Sequence, residues 1–183
     1  MSGAGAPSLS ASLPAGSAAG LRVAVIAGSW HPEVMGGLIR GAHETVMAAG
    51  ADHTLFRVAG AFELPLAAQA ALTPAEQGGG GFDAAVCLGV IVRGGTPHFE
   101  YVAGSVTDGL TRVQLDTGRP VGFGVLTTDT DQQALDRAGL PGSPESKGVE
   151  AAEAALQSAL IVRKIREEGP TMRLVPGATQ PSD

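Results

Sequence analysis

Short apolar runs alternate along the chain with longer segments in which apolar residues recur every three or four positions. The apolar runs occupy residues 21–27, 54–58, 84–91 and 121–125. The periodic segments, which predict helices, occupy 33–48, 64–72, 98–115, 132–138 and 145–168. Continuous apolar runs are typical of parallel strands buried on both faces, and crossover helices join such strands. The pattern therefore predicts a three-layer α/β/α sandwich around a four-stranded parallel sheet.

The two ends of the chain lack this pattern. Residues 1–20 carry no charge and no periodicity, and they offer too little apolar area to offset the entropy of ordering. We therefore expect a disordered N-terminal tail over 1–20. Residues 169–183 contain three prolines and no helical period, which predicts a second disordered tail. The folded unit is expected to span 21–168.

Composition narrows the class of protein. A chain of 183 residues with 44% hydrophobic and 16% charged residues suits one globular domain. The net charge of −6 gives no broad attraction for nucleic acid. The single cysteine, Cys87, cannot form an internal disulfide or a multi-cysteine metal site. Because no apolar stretch is long enough to span a membrane and no secretory signal is apparent, we expect a cytoplasmic protein without membrane contact.

The junctions between strands and helices are the places to search for chemistry, because ligands bind at the carboxyl ends of parallel strands. The third junction carries Gly94, Gly95, Thr96 and Pro97 before a helix. Two glycines let a ligand approach the backbone, Thr96 suits the helix cap, and Pro97 suits the first helical position. Such a helix start favours a phosphate. The same residues also fit a plain tight turn with a capped helix.

Four further side chains at these junctions each have two interpretations. His98 falls in the first turn of the third helix, where it could transfer protons or serve as a surface residue. Trp30 could stack on a planar heterocycle or staple a helix start. Phe62 and Glu63 could form an aromatic wall and a hydrogen-bond acceptor for a polyol, or could provide packing and a favourable acid at a helix start.

Arg137 and Lys147 are candidates for anion binding. Both could be solvated surface charges, which is the usual environment of such residues. Arg137 could instead add a bidentate phosphate contact that backbone amides cannot provide.

Four separated motifs together resemble a known family. They read GAFELP at 60–65, LGVIVRGGTPHFEYV at 88–102, GVLTTDT at 124–130 and DRAG at 136–139. In this order, and over residues 21–166, they closely resemble the lumazine synthases. The resemblance implies a flavodoxin-like fold and an enzyme of riboflavin biosynthesis that needs neither metal nor redox cofactor.

The resemblance also implies roles for particular positions. Trp30 would stack on the pyrimidine, Ile91 and Val92 would contact its edge, and His98 would transfer protons. The segment that would contact the ribityl chain is Ala61, Phe62 and Glu63. The phosphate site would consist of Gly94, Gly95, Thr96 and Arg137. In the family, the positions of Phe123, Arg137 and Lys147 belong to the adjacent subunit, which implies sites shared between subunits.

The implied assembly is a homo-oligomer, and the long connection over 140–146 favours a free pentamer over a sixty-subunit shell. Trp30 and His31 stand where many relatives carry Phe and Asn, which leaves His31 without an assigned role. Two alternatives remain. One is a flavin- or nucleotide-binding module, whose phosphate loop should follow the first strand, where this chain has bulky residues. The other is a scaffold of the same fold without activity.

Overall fold

The computed structural model of the chain describes residues 13–169. The strands are Arg22–Ala27 (β1), Asp52–Arg57 (β2), Ala84–Val92 (β3) and Val121–Thr128 (β4). The α-helices are Pro32–Ala48 (α1), Leu64–Leu72 (α2), His98–Thr117 (α3), Asp131–Leu135 (α4) and Lys147–Glu168 (α5). Short 3₁₀ turns occupy Ala61–Glu63 and Ala75–Gln77. Each predicted strand and helix is present, with shifted ends.

The strands form one parallel sheet in the order β2-β1-β3-β4. Successive β1 side chains point to opposite faces, as in any strand. Val23 and Val25 pack with α1 and α5 on one face, whereas Ala24 and Ile26 pack with α2 and α3 on the other. The predicted α/β/α sandwich with a four-stranded parallel sheet, flavodoxin-like in build, is confirmed.

Two strands, β2 and β4, extend furthest beyond their apolar runs. β2 begins at Asp52, whose backbone pairs with β1, although most of this edge strand is exposed. β4 continues to Thr128 because its backbone pairs with β3 as far as Val92. Backbone pairing therefore extends both strands beyond their apolar runs.

The region between α4 and α5 differs from the predicted helices. α4 ends at Leu135, and α5 begins at Lys147 rather than at residue 145. The backbone groups that would continue either helix are used between the two segments. Gly139 N donates to Glu145 O at 3.0 Å, and Lys147 N donates to Arg137 O at 3.0 Å. The loop over 140–146 is therefore attached at both ends.

Residues 13–20 also differ from the prediction, which assigned them to a disordered tail. They form turns, and Ala18 is fully buried. Ala18 N donates to Ala49 O at 2.8 Å, and Gly16 N donates to Ala48 O at 3.3 Å. Composition gave no sign of this order because backbone hydrogen bonds to the end of α1, which do not depend on residue type, help to hold the segment. Residues 1–12 and 170–183, the rest of the predicted tails, lie outside the described residues.

Glycines allow α1 to pack closely against α5 and against the segment that follows α4. A Cβ atom on Gly148 would lie 2.1 Å from Leu38 O, and one on Gly37 would lie 2.3 Å from Ala138 O. Only glycine fits at either position. In the middle of the sheet, Cys87 on β3 is fully buried, and this burial raises the pKa of its thiol to about 12.

Candidate active site

A pocket of about 740 Å³ opens at the carboxyl ends of β1, β2 and β3. This is where ligands bind in open parallel sheets. Several predicted site residues line it together, namely Trp30, Ala61, Phe62, Glu63, Ile91, Val92 and His98. Residues that are more than 60 positions apart in sequence therefore share one cavity.

Trp30 forms an exposed aromatic wall of this pocket. Its side chain is 69% exposed, which does not fit the alternative of a packed hydrophobic staple. The ring lies against Gly60, since a Cβ at that glycine would be 3.3 Å from Trp30 Cδ1. The loop before Trp30 is held by Ser29 Oγ, which donates to Val58 O at 2.7 Å. The first two junctions thus hold the indole at the pocket mouth.

The second junction presents Phe62 and Glu63 from its 3₁₀ turn. Glu63 Oε2 accepts a hydrogen bond from Gly60 N at 2.8 Å, which fixes the carboxylate at the pocket wall. Phe62 is 61% exposed, whereas Ala61 is buried. Phe62 therefore does not contribute to the core, and its ring is available to a ligand.

The third junction differs in detail from the prediction. α3 begins at His98, its cap residue is Pro97, and no side chain caps it. The prediction that Thr96 caps this helix and that Pro97 is its first residue is wrong, because Pro97 adopts a turn conformation with ψ near 5°. Cβ atoms on Gly94 and Gly95 would meet nothing within 4 Å. Packing within the subunit therefore does not explain these glycines.

His98 is the first residue of α3 and lines the pocket, as the prediction of a first-turn histidine required. Ile91 and Val92 are at the end of β3, where the strand reaches the cavity. The imidazole, the strand end and the indole therefore border the same space.

Arg93 has a structural role beside the site, and the sequence did not predict this role. Its Nε donates to Asp129 Oδ1 at 2.7 Å, its Nη1 donates to Glu100, and its guanidinium lies 4.1 Å from the Phe99 ring centre. Hydrogen bonds to Asp129 and Glu100 raise the pKa of Arg93, and the bond from Arg93 lowers the pKa of Glu100. Arg93 thus joins the ends of β3 and β4 to the first turn of α3.

His31 is a second residue without a predicted role. It lines the pocket beside Trp30 and has φ 52° and ψ 66°, a left-handed backbone. Its Nδ1 lies 3.5 Å from Oδ1 of Asp131, the first residue of α4. The sequence gave no sign of this contact because it joins residues 100 positions apart.

The remaining predicted residues lie outside this pocket within the single chain. Phe123 is 45% exposed and borders a separate groove beside Leu110 on α3. Arg137 Nη1 donates to Gln133 O at 2.9 Å, just beyond α4. The structure therefore does not bring Phe123, Arg137 or Lys147 together with His98.

Lys147 is held by two carboxylates, with its Nζ 2.8 Å from Glu145 Oε2 and 2.8 Å from Glu150 Oε2. Burial lowers the pKa of Lys147, but the bonds to Glu145 and Glu150 outweigh this effect and raise it overall. The lysine is therefore a fixed cation at the start of α5.

Comparison with known proteins decides the family. The family model of 6,7-dimethyl-8-ribityllumazine synthase matches residues 20–163. The chain belongs to this family. A 6,7-dimethyl-8-ribityllumazine synthase of Leifsonia xyli is 58% identical over 166 residues, covering 91% of this chain and 99% of the relative. The synthase of Streptomyces avermitilis is 53% identical, covering 91% and 98%. The lumazine synthase resemblance is confirmed, and a flavin-binding module is not supported.

Two kinds of feature, membrane-spanning helices and metal-binding clusters, are absent from residues 13–169. No helix there is both long and apolar enough to cross a membrane. Across the same residues, no group of three or more His, Cys, Asp or Glu side chains is arranged to hold a metal ion.

Proposed function

We propose that the protein catalyses, in this pocket, the condensation of 5-amino-6-(D-ribitylamino)uracil with 3,4-dihydroxy-2-butanone 4-phosphate. The products are 6,7-dimethyl-8-ribityllumazine, phosphate and water, as in riboflavin biosynthesis. The observation that carries the proposal is the convergence of Trp30, Glu63, Ile91 and His98 on one cavity in a chain of this family. A volume of about 740 Å³ is within the range of small-molecule sites.

The pyrimidine binds in the part of the pocket formed by the first three junctions. Its ring stacks on Trp30, whose exposed indole offers a large flat surface. The ends of Ile91 and Val92 contact the ring edge. The ribityl chain follows Ala61 and Phe62, and its hydroxyls donate to the Glu63 carboxylate. The Gly60 bond holds that carboxylate in place before substrate arrives.

The phosphate of the second substrate binds at Gly94, Gly95 and Thr96. The open backbone there admits an anion, and the start of α3 adds its positive end. Arg137 of an adjacent subunit provides a charge-assisted contact. This arrangement accounts for the separation of Arg137 from the pocket within one chain.

The assembly we propose is a homopentamer whose sites form between neighbours. Phe123 and Lys147 of one subunit then complete the pocket of the next. The 45% exposure of Phe123 supports this arrangement, because a subunit contact would cover that ring. A cyclic ring places two different faces in contact at every interface, as a shared site requires.

The reaction needs positioning and proton transfer. The free amine attacks the ketone to give an imine and one water. Phosphate then leaves, and tautomerisation and ring closure with loss of a second water give the product. Holding both substrates in register provides much of the rate enhancement. His98 moves protons between successive intermediates, a contribution typically on the order of 10²–10⁴-fold. Every step is polar, so these residues act without a redox cofactor.

A direct turnover assay tests the proposed function. Purified protein with both substrates should form lumazine, followed by its fluorescence, and release an equal amount of phosphate. Both rates should be well above that of the uncatalysed reaction. Omission of the pyrimidine is the control for adventitious phosphatase activity. A folded, assembled protein with no rate above background would instead identify a scaffold without activity.

A further inference from the structure

His31 has a backbone that its sequence context does not favour. Its φ of 52° is the only positive φ of a non-glycine residue between residues 13 and 169. Left-handed backbone is uncommon for any residue other than glycine, even for histidine, and a following proline normally favours extended backbone. The chain nevertheless places a histidine before Pro32. Strain of this kind is concentrated at functional positions.

Local packing gives no sufficient reason for this histidine. Its carbonyl accepts a hydrogen bond from Met35 N at 2.9 Å, which starts α1, but any residue offers that carbonyl. The contact with Asp131 joins side chains that are 32% and 75% exposed, and exposed ion pairs add little to stability. An imidazole is therefore not needed to build this turn.

The side chain, in contrast, is well placed for chemistry. It lines the pocket next to Trp30, on the side where the pyrimidine is proposed to stack. Oδ1 of Asp131 lies 3.5 Å from Nδ1 of His31 and can orient the ring. The other ring nitrogen, Nε2, is then left for proton transfer. A carboxylate that orients an imidazole through one nitrogen while the other transfers protons is a recurrent catalytic arrangement.

We propose that His31 is a second catalytic imidazole, which carries protons during imine formation and is oriented by Asp131. The inference rests on the proposed function. The amine nitrogen forms a bond to the ketone carbon, and the carbonyl π pair moves to oxygen. His31 gives one proton to this oxygen and takes one from the nitrogen, which yields a carbinolamine. The ring then gives a second proton to the same oxygen, the C–O bond breaks as the nitrogen lone pair forms the C=N bond, and water leaves. The ring finally takes the remaining nitrogen proton and regains its starting state, so the step balances without another reactant. His98, beside the phosphate loop, serves the later steps.

Three variants separate this role from a structural one. His31→Asn keeps a residue that tolerates left-handed backbone and forms hydrogen bonds but cannot transfer a proton. His31→Gly removes the ring and the strain. Asp131→Asn retains the histidine but removes the carboxylate. His43→Asn, which removes an exposed imidazole on α1 outside the pocket, is the matched control.

With both substrates saturating, kcat should fall on the order of 10²-fold for His31→Asn and His31→Gly. It should fall several-fold for Asp131→Asn and stay unchanged for His43→Asn. The unfolding temperature of each variant should equal or exceed that of the wild type. The Kd for the pyrimidine, measured by Trp30 fluorescence, should stay within a few-fold of the wild-type value. Added imidazole should restore part of the activity of His31→Gly but not of His31→Asn, whose side chain fills the space.

Two results would overturn the inference. A wild-type kcat for His31→Asn would reduce His31 to a turn residue. A loss of kcat that imidazole does not restore in His31→Gly, together with a large loss of pyrimidine affinity, would make His31 a binding residue only. Wild-type turnover tests the proposed function separately, so a failure of the two ideas can be distinguished.

Discussion

Most residues predicted at the ends of β1, β2 and β3 line one pocket, whereas those predicted on and beyond β4 do not, and neither do Gly94, Gly95 and Thr96. Trp30, Glu63 and His98 border the same cavity of about 740 Å³. Phe123 borders a separate groove, and the guanidinium of Arg137 donates to Gln133 O on α4. The rule that parallel strands end at one edge of the sheet places the first group, but it does not apply across subunits. This separation within one chain is what the proposed sharing of sites between subunits requires.

The largest effect on activity is expected from a substitution among the residues that line the pocket of the single chain. His98→Ala should lower kcat on the order of 10²–10⁴-fold, because positioned proton transfer is lost while substrate positioning remains. Steady-state kinetics would measure this change, with KM for both substrates within a few-fold of wild type. His43→Ala is the matched control outside the pocket. An unaltered kcat would remove His98 from the mechanism.

A smaller effect is expected from Arg137, which lies outside the pocket of its own chain. Arg137→Ala should raise KM for the ketose phosphate about 10- to 100-fold, because a hydrogen bond to a charged group contributes about 1.5–3 kcal/mol. Pyrimidine binding, followed by Trp30 fluorescence, should change little. Arg163→Ala, which alters an exposed arginine on α5, is the control. Equal losses for both substrates would indicate a folding defect.

Mixed assemblies test directly whether the two halves come from different subunits. One parent carries Arg137→Ala and the other carries both Trp30→Ala and His98→Ala. After co-expression in equal amounts, about a quarter of the pockets in randomly assorted rings should combine two intact halves. Activity at low ketose phosphate should then rise well above both parents. Mixed rings no more active than their parents, or a fully active monomer, would contradict the shared site.

The smallest effect concerns substrate binding within the subunit. Glu63→Gln should raise KM for the pyrimidine about 3- to 10-fold, because a neutral amide oxygen accepts hydrogen bonds from the ribityl chain less strongly than a carboxylate. The amide can still accept from Gly60 N, so the loop should persist. Glu76→Gln, at an exposed glutamate on the second 3₁₀ turn, is the control. An unchanged KM would place the ribityl chain elsewhere.

The fold could be predicted from the sequence because a strand buried on both faces, such as β3, is a continuous apolar run. His98 could be placed in the first turn of a helix because local residues indicate roughly where that helix begins. The sequence did not reveal the ion pair between Arg93 and Asp129, which joins residues 36 positions apart and forms only because β3 and β4 end side by side. It also did not reveal the order of residues 13–20 because backbone hydrogen bonds to α1 leave no mark on composition.

The buried thiol of Cys87 makes this protein convenient for labelling. With a pKa of about 12 and no exposure, it is almost entirely protonated and unreachable at neutral pH, so maleimides should not modify the folded chain. Any cysteine introduced at the surface becomes the sole reactive position. Substitution of the exposed Arg163 would admit one dye for each subunit. Two populations carrying a donor and an acceptor would then report subunit exchange by energy transfer, independently of turnover.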